Sequence, residues 1–226
     1  MRITHLGHSC LLVELDGARL LIDPGTFSHG FEELTDLDAV LVTHQHADHV
    51  DVERLPTLLT ANDRAVLLTE PELAAELDRV GLPARALHPG EQLDVAGVPV
   101  RAAGGEHAVI HPDVPRVGNI ALLVGTARAD GGSGLLLHPG DAYDVVPRRP
   151  DETVDVLALP LTAPWAKVSE TIEYVRAVRP AVAVPVHDAL VQPAARGIYL
   201  GHVTRLAPSG TTVVDLAGAG PRDVLA

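Results

Sequence analysis

The chain has 226 residues, which is enough for one α/β domain to bury a core without disulfide bonds. Its only cysteine, Cys10, excludes an intramolecular disulfide and the thiolate-based structural zinc motifs, so a metal site would need histidine and carboxylate ligands. The net charge of −13 argues against nucleic-acid binding, because the nearest approach to a basic patch is Arg148 and Arg149 beside acidic residues.

The N-terminal segment does not have the uninterrupted apolar region of a signal peptide, because His5, His8 and Ser9 interrupt it. No apolar run approaches the roughly 20 residues that a membrane-spanning helix needs. We therefore expect a single domain, residues 1–226, in a cytoplasmic protein that acts on a small molecule and does not enter a membrane. The composition leaves the oligomeric state open, and a homo-oligomer is one possibility.

The first half of the chain predicts a strand meander followed by alternating strands and helices. RITHL, CLLVEL and RLLID are predicted strands, with a turn at Asp16-Gly17. The apolar strand LDAVLVT follows, then a short helix near Pro56 and the strand AVLLT. The segment EPELAAELDRVG predicts a helix that begins near Pro71 and stops at Gly81.

The second half again predicts short strands with an interspersed helix, but it shows no detectable sequence repeat of the first half. ALHPGEQLDVAGVPVRAA predicts two or three short strands, and NIALLVGTA and GLLLHPGD predict strands around the hairpin RADGGSG. VDVLALPL and AVAVPVHD are predicted buried strands, separated by a helix in KVSETIEYVRAVRP with apolar residues at helical spacing. Mixed strands and helices of this kind predict an α/β sandwich with mixed sheets.

Histidine and aspartate side chains follow several of these predicted strands. LVTHQHADHV, at 41–50, contains three histidines and an aspartate directly after an apolar run, and Asp23, His107, Asp141 and His187 each come soon after another. Strand ends are places where a rigid scaffold can aim side chains into one cleft. Imidazole nitrogen and carboxylate oxygen are the ordinary non-sulfur ligands of Zn²⁺, so the pattern predicts a site for one or two divalent ions.

The motif THQHADH resembles the His-x-His-x-Asp-His motif of the metallo-β-lactamase fold hydrolases. Asp23, His107, Asp141 and His187 have the order and approximate spacing of that superfamily's other motifs, and the match spans residues 3 to 187. Within the superfamily, ITHLGHSCLLVE, HPGD and VRPAVAVPVHD are most similar to the small stand-alone hydrolases related to the ascorbate-phosphate lactonase group. The resemblance implies a four-layer αββα sandwich with two mixed sheets and metal ions at one edge.

The resemblance also implies two metal ions, most simply Zn²⁺ with Mn or Fe as alternatives, and a role for each motif residue. The implied ligands are His44, His46 and His107 for the first ion, and Asp48, His49 and His187 for the second. Asp141 would bridge the two ions, and Asp23 would support the ligand loop. His111 lies close to His107 and is an alternative ligand, but His107 comes sooner after the predicted strand and is preferred.

Four further residues are candidates for contacts around the metal ions. His8 resembles a subgroup position that faces the cleft, where it would bind substrate or orient a ligand; a packed turn histidine is an equal alternative. Tyr143 would donate a hydrogen bond to substrate and Trp165 would form a pocket wall, although each could simply pack. His138, three residues before Asp141, would support a ligand from behind.

These features predict a metal-dependent hydrolase in which a metal-bridging hydroxide, oriented by Asp48 and Asp141, attacks a carbonyl or phosphoryl centre. An ester or lactone of a small molecule is the leading expectation. Phosphodiester hydrolysis of a nucleotide or phospholipid, metal binding or sensing without turnover, and thiol dioxygenation by a single iron ion remain alternatives. His46 argues against the diiron oxygen-reducing branch, which usually has glutamate there.

Overall fold

Two mixed β-sheets of seven strands each form the centre of the protein in a computed structural model, which describes residues 1–147, 149–150 and 152–225. The predicted pair Arg148 and Arg149 therefore lies partly outside the described residues. The strands are β1 Arg2–His5, β2 Leu11–Leu15, β3 Ala18–Ile22, β4 Ala39–Val42, β5 Val66–Thr69, β6 Arg85–Ala86, β7 Gln92–Val95, β8 Val98–Glu106, β9 Gly118–Thr126, β10 Gly134–His138, β11 Val156–Pro160, β12 Val182–Val186, β13 Thr212–Val213 and β14 Arg222–Asp223.

The strand order of the first sheet is β14-β1-β2-β3-β4-β5-β6, and that of the second is β13-β12-β11-β10-β9-β8-β7. In the first sheet β1, β2 and β3 form the predicted antiparallel meander, and β3 to β6 are parallel. In the second sheet β7 to β10 are antiparallel, and β10 to β13 are parallel. Both sheets are therefore mixed, as predicted.

Four α-helices cover the outer faces of the sheets: α1 Leu55–Ala61, α2 Pro71–Arg79, α3 Val168–Val178 and α4 Pro193–Leu206. Leu58 of α1 and Leu77 of α2 pack on the first sheet, and Val175 of α3 and Val203 of α4 pack on the second. The aliphatic core lies between the sheets. The predicted αββα sandwich is confirmed. None of the described helices is long and apolar enough to cross a membrane.

The carboxyl ends of the strands that precede the predicted site residues lie at one edge of the sandwich. Strands β1 and β3 are both antiparallel to β2, and β3 is parallel to β4, so these three run in one direction. Strands β8 and β10 are both antiparallel to β9, and β10, β11 and β12 are parallel. Because each candidate ligand follows one of these strands, the fold brings distant sequence segments together.

Candidate metal centre

Two groups of histidine and aspartate side chains meet at this edge, and within each group the potential ligand atoms all lie within 4.8 Å of one another. The first group is His44, His46, His107 and Asp141, and the second is His8, Asp48, His49 and His187. All seven predicted metal ligands are therefore brought together. His111 is not, because its side chain is exposed and lies 3.6 Å from Asp113.

In the first group, ring nitrogens approach at the spacing of ligands around one ion. His44 Nε2 lies 3.1 Å from His46 Nδ1, and His107 Nε2 lies 3.4 Å from Asp141 Oδ2. Zn–N bonds of about 2.0–2.1 Å in tetrahedral geometry place neighbouring ligand atoms roughly 3.3 Å apart. Both of these separations are close to that value.

Asp141 also contacts the second group. Its Oδ2 lies 3.2 Å from His187 Nε2, and its Oδ1 lies 3.1 Å from His49 Nε2. Asp48 Oδ2 lies 3.6 Å from His187 Nε2. The Asp141 carboxylate therefore lies between the two groups, where a bridging ligand would be needed.

The outward-facing nitrogens of the ligand histidines are held by hydrogen bonds, which determines which nitrogen faces the cluster. Three rings donate their Nδ1–H to oxygen: His49 to Asp23 Oδ2 at 2.7 Å, His107 to the Ala108 carbonyl at 2.6 Å, and His187 to the Thr162 carbonyl at 2.7 Å. Thr43 Oγ1 donates to Asp23 and therefore accepts from His44 Nδ1 at 3.0 Å. In all four rings Nδ1 faces away from the cluster and Nε2 faces into it, as a metal ligand requires.

Four buried atoms of the cluster have no hydrogen-bond partner among the described residues: His49 Nε2, His107 Nε2, His187 Nε2 and Asp141 Oδ1. Some lie close to one another, but without hydrogen-bonding geometry. Buried polar atoms in folded proteins are normally paired, so a group of four in one place requires an explanation. Three imidazole nitrogens and a carboxylate oxygen form a donor set that fits divalent metal ions.

In the first group, the surroundings of His44 and Asp141 favour the protonation states that bind metal. Burial, together with the neighbouring imidazole of His49, lowers the pKa of His44 well below its ordinary value. Burial alone would raise the pKa of Asp141, but His49, His107 and His187 outweigh it and hold this pKa well below its ordinary value. Neutral imidazole and ionised carboxylate are the forms that bind metal.

His49 differs from His44. Burial lowers the pKa of His49, but the carboxylates of Asp141 and Asp23 outweigh that effect and raise its pKa well above the ordinary value. A metal ion bound at Nε2 therefore has to displace a proton held by two carboxylates. Metal binding at this ring should release a proton to solvent.

Asp23 lies behind the ligand loop, where the sequence places a supporting residue. It is fully buried, and its Oδ1 accepts from the Thr43 backbone N–H at 2.8 Å. Its Oδ2 accepts from Thr43 Oγ1 at 2.8 Å and from His49 Nδ1 at 2.7 Å. One carboxylate thus positions His49 directly and His44 through Thr43, a role that sequence reasoning did not assign to Thr43.

Two glycines allow the ligand loops to approach other backbone closely. A side chain at Gly25 would collide with the Asp48 carbonyl, and one at Gly140 would collide with Asn119 Oδ1. Gly140 also has a φ of +59°, a conformation that favours glycine. Asn119 Oδ1 accepts the Asp141 N–H at 3.0 Å, which fixes the backbone that carries this carboxylate.

His8 and His138 lie beside the cluster. His8 Nδ1 accepts the Ala189 backbone N–H at 3.3 Å, so its Nε2–H faces Asp48 Oδ2 at 3.1 Å. In this tautomer His8 orients Asp48. His138 Nε2 donates to the Ser9 carbonyl at 3.1 Å, and its Nδ1 lies 3.9 Å from Asp23 Oδ2, behind the ligands.

The two aromatic candidates line the same cavity but make different polar contacts. The Tyr143 hydroxyl donates to the Pro160 carbonyl at 2.7 Å and contacts Thr171 Oγ1 at 2.7 Å, so it points into the protein. Donation to substrate by this hydroxyl, as the sequence predicted, has no geometric support. Trp165 lines a cavity, and its indole N–H also donates to Asp141 Oδ2 at 2.8 Å. The sequence carries no signal for that second contact.

Comparison with known proteins agrees with this geometry. The beta-lactamase superfamily domain matches residues 2–187, and the chain therefore belongs to this superfamily. Protein Rv0786c of Mycobacterium tuberculosis is 55% identical over 206 residues, covering 91% of this chain and 92% of that protein. A UPF0173 metal-dependent hydrolase of Carboxydothermus hydrogenoformans is 26% identical over 196 residues, covering 83% and 84%.

The fold has a close counterpart among solved structures. Igni18, a metallo hydrolase from the archaeon Ignicoccus hospitalis, superposes with a TM-score of 0.70 at 18% identity and 99% coverage of both chains. The predicted superfamily and the predicted class, a metal-dependent hydrolase, are confirmed at this level.

Proposed function

We propose that this protein cleaves an ester, lactone or related carbonyl bond of a small molecule with two divalent metal ions, most simply Zn²⁺, with Mn or Fe as alternatives. The observation that carries the proposal is the group of four buried, unpartnered ligand atoms described above. A purely structural cluster of histidines would satisfy these atoms with hydrogen bonds. We also propose that it works in the cytoplasm and has no nucleic-acid partner.

The proposed ligands follow the two groups, with one change. The first ion would be held by His44, His46 and His107, and the second by Asp48, His49 and His187. Asp141 would bridge them, because its carboxylate contacts residues of both groups. His8 is left out of the ligand set because its Nε2 carries the proton that faces Asp48.

When bound, the ions would lower the pKa of water and polarise the scissile carbonyl. Asp48 and Asp141 are ionised and would orient the attacking water as hydrogen-bond acceptors. Water then adds across the acyl C–O bond: the acyl carbon gains the hydroxyl group and the leaving oxygen gains the proton. Burial of His44, His49 and His187 keeps bulk water away from the reacting centre.

Metal removal and restoration test the proposal. We expect metal analysis of the native protein to give two equivalents, and we expect chelation to abolish hydrolysis of lactones and thioesters. Activity should return with Zn²⁺ or Mn²⁺. Full activity after verified metal removal would rule out the metallohydrolase. A panel in which only phosphodiesters are cleaved would instead select the phosphodiesterase alternative, and native iron with thiol oxidation would select the dioxygenase.

A further inference from the structure

We propose that the metal centre opens into an apolar groove that binds the alkyl or acyl chain of an uncharged lactone or ester, and that phosphorylated substrates are disfavoured. The inference rests on the proposed function and names the substrate class for the same site. It depends on where the exposed apolar side chains of the protein lie.

Five exposed large apolar side chains surround the metal ligands, with exposed fractions between 43% and 53%: Phe27, Val109, Ile110, Val114 and Leu190. Single exposed apolar residues are ordinary on protein surfaces. A group of them around a cleft is a mark of a binding surface, because each exposed side chain costs free energy that a ligand can recover. Their position beside a metal centre points to substrate.

One side of the groove is a cavity of about 390 Å³ next to the first group of ligands. Its lining includes Val109, Tyr143 and Trp165. The cavity is adjacent to the metal ligands, because Trp165 donates to Asp141 and its ring lies 6.1 Å from that of His107. The volume is that of a small-molecule site.

The remaining apolar residues extend this surface around the ligands. Ile110 and Val114 line a smaller hollow together with His46 and His107. Beside the second group of ligands, the Phe27 ring lies 5.3 Å from the ring of His8. Leu190 follows Ala189, whose N–H is bonded to His8. A chain attached to a carbonyl at the metal centre therefore meets aliphatic or aromatic surface beside either group of ligands.

The charges around the groove do not favour a phosphate. Among the described residues, Arg116 is the one arginine or lysine that lines the two hollows, and two of its nitrogens are already bound, Nε to the His107 carbonyl at 2.6 Å and Nη1 to Glu106 at 2.7 Å. Asp144 and Glu170 add two carboxylates to the larger cavity. This balance of charges disfavours a phosphorylated substrate in the larger cavity.

The test uses metal-loaded protein and a series of γ-lactones whose alkyl substituent grows from methyl to octyl. We expect kcat/KM to rise about threefold for each added methylene until the groove is filled, close to the transfer free energy of one CH₂ group. The same lactones with a terminal phosphate should react at least about tenfold more slowly.

Binding is measured separately from activity with the corresponding γ-lactams, which resist hydrolysis. Trp165 is the only tryptophan of the chain, so its fluorescence reports occupation of the cavity. The fluorescence-derived Kd should fall with chain length by the same factor per methylene as kcat/KM rises.

Val109→Asp should flatten the dependence on chain length to less than about 1.5-fold per methylene, because it places a charge on the groove wall. Val80→Asp is the matched control, since Val80 is a 69% exposed valine at the end of α2. The control should retain the wild-type dependence.

The outcomes separate the two proposals. Lactone hydrolysis without dependence on chain length, or with a preference for the phosphorylated series, overturns the apolar groove and leaves the proposed function intact. Chain-dependent lactam binding without hydrolysis of any ester or lactone supports the groove and overturns the proposed function. Lactam binding that does not depend on chain length overturns the groove whatever the activity.

Discussion

The metal ligands and the loop that follows one of them, residues 108–117, are built in opposite ways. His44, His49 and His187 are buried, and each has its second ring nitrogen bonded to oxygen. The loop exposes Val109 and Ile110 and is held mainly by its own backbone and by Arg116. The interior thus fixes the ligand geometry, whereas the loop can vary its side chains without disturbing that geometry.

Asp141→Asn should have the largest effect, because it removes the charge and most of the bridging capacity between two cations. We expect a folded protein that binds at most one equivalent of metal tightly and loses at least about 10²-fold in turnover. Metal counting and circular dichroism on the purified variant check both statements. Asp130→Asn, at an exposed position, is the control; two tight equivalents in Asp141→Asn would remove this residue from the site.

Asp23→Asn tests whether the buried support determines the state of the ligands. The carboxylate accepts three hydrogen bonds with two oxygens, whereas an amide has one acceptor oxygen and cannot accept all three, so His49 and Thr43 should lose part of their positioning. Zn²⁺ affinity should fall by about 10–100-fold with the fold retained. Competition with a chromophoric chelator measures the affinity. Asp38→Asn, which removes a carboxylate bonded to Arg19 N–H, should leave it unchanged.

His8 variants test a residue that contacts both the ligand Asp48 and the exposed Phe27. Because His8 orients Asp48 through an N–H, His8→Leu should weaken the second metal equivalent by about tenfold, and His8→Gln should restore most of the affinity. Calorimetric titration with Zn²⁺ resolves the two equivalents. Equal loss in both variants would indicate that the His8 imidazole is itself a ligand.

The same residue affects acid stability. Burial raises the pKa of Asp48, but the His8 hydrogen bond and the imidazoles of His49 and His187 outweigh it and lower the pKa to about 2. A depressed carboxyl pKa stabilises the fold above the unfolded value of about 4, and the contribution is lost as pH falls towards 2. Urea midpoints of metal-free protein between these pH values should therefore fall less steeply in His8→Leu.

Cys10 provides the smallest expected change. It is fully buried directly before β2, and burial raises the pKa of its thiol. In native protein, alkylation by iodoacetamide at neutral pH should therefore be negligible, and it should become complete in urea. Rapid labelling without denaturant would show that the interior near the ligands opens readily. That result would contradict the view that this interior is more rigid than the loop at 108–117.

The seven candidate ligands named from the sequence lie together in the structure because each follows an apolar strand, and these strands end at one edge of the sandwich. The sequence places Tyr143 close to Asp141 but does not show that its hydroxyl points into the protein, because closeness in the chain does not give the direction of a side chain. Helix α4 is not predicted, since Gly197 and Gly201 interrupt it and only Val203 is buried. The Trp165–Asp141 bond depends on how the loop after β11 folds back, which no local pattern encodes.

The outer contacts of the ligand histidines also differ in what evolution can change. His44 and His49 depend on the side chains of Thr43 and Asp23, which a single codon change can replace. His107 and His187 donate to main-chain carbonyls, which every residue possesses. Substitution of Thr43 or Asp23 can therefore change the metal preference at His44 and His49. The contacts of His107 and His187 persist as long as the backbone keeps its conformation. Laboratory selection for a different metal should accumulate changes around Asp23 and Thr43 first.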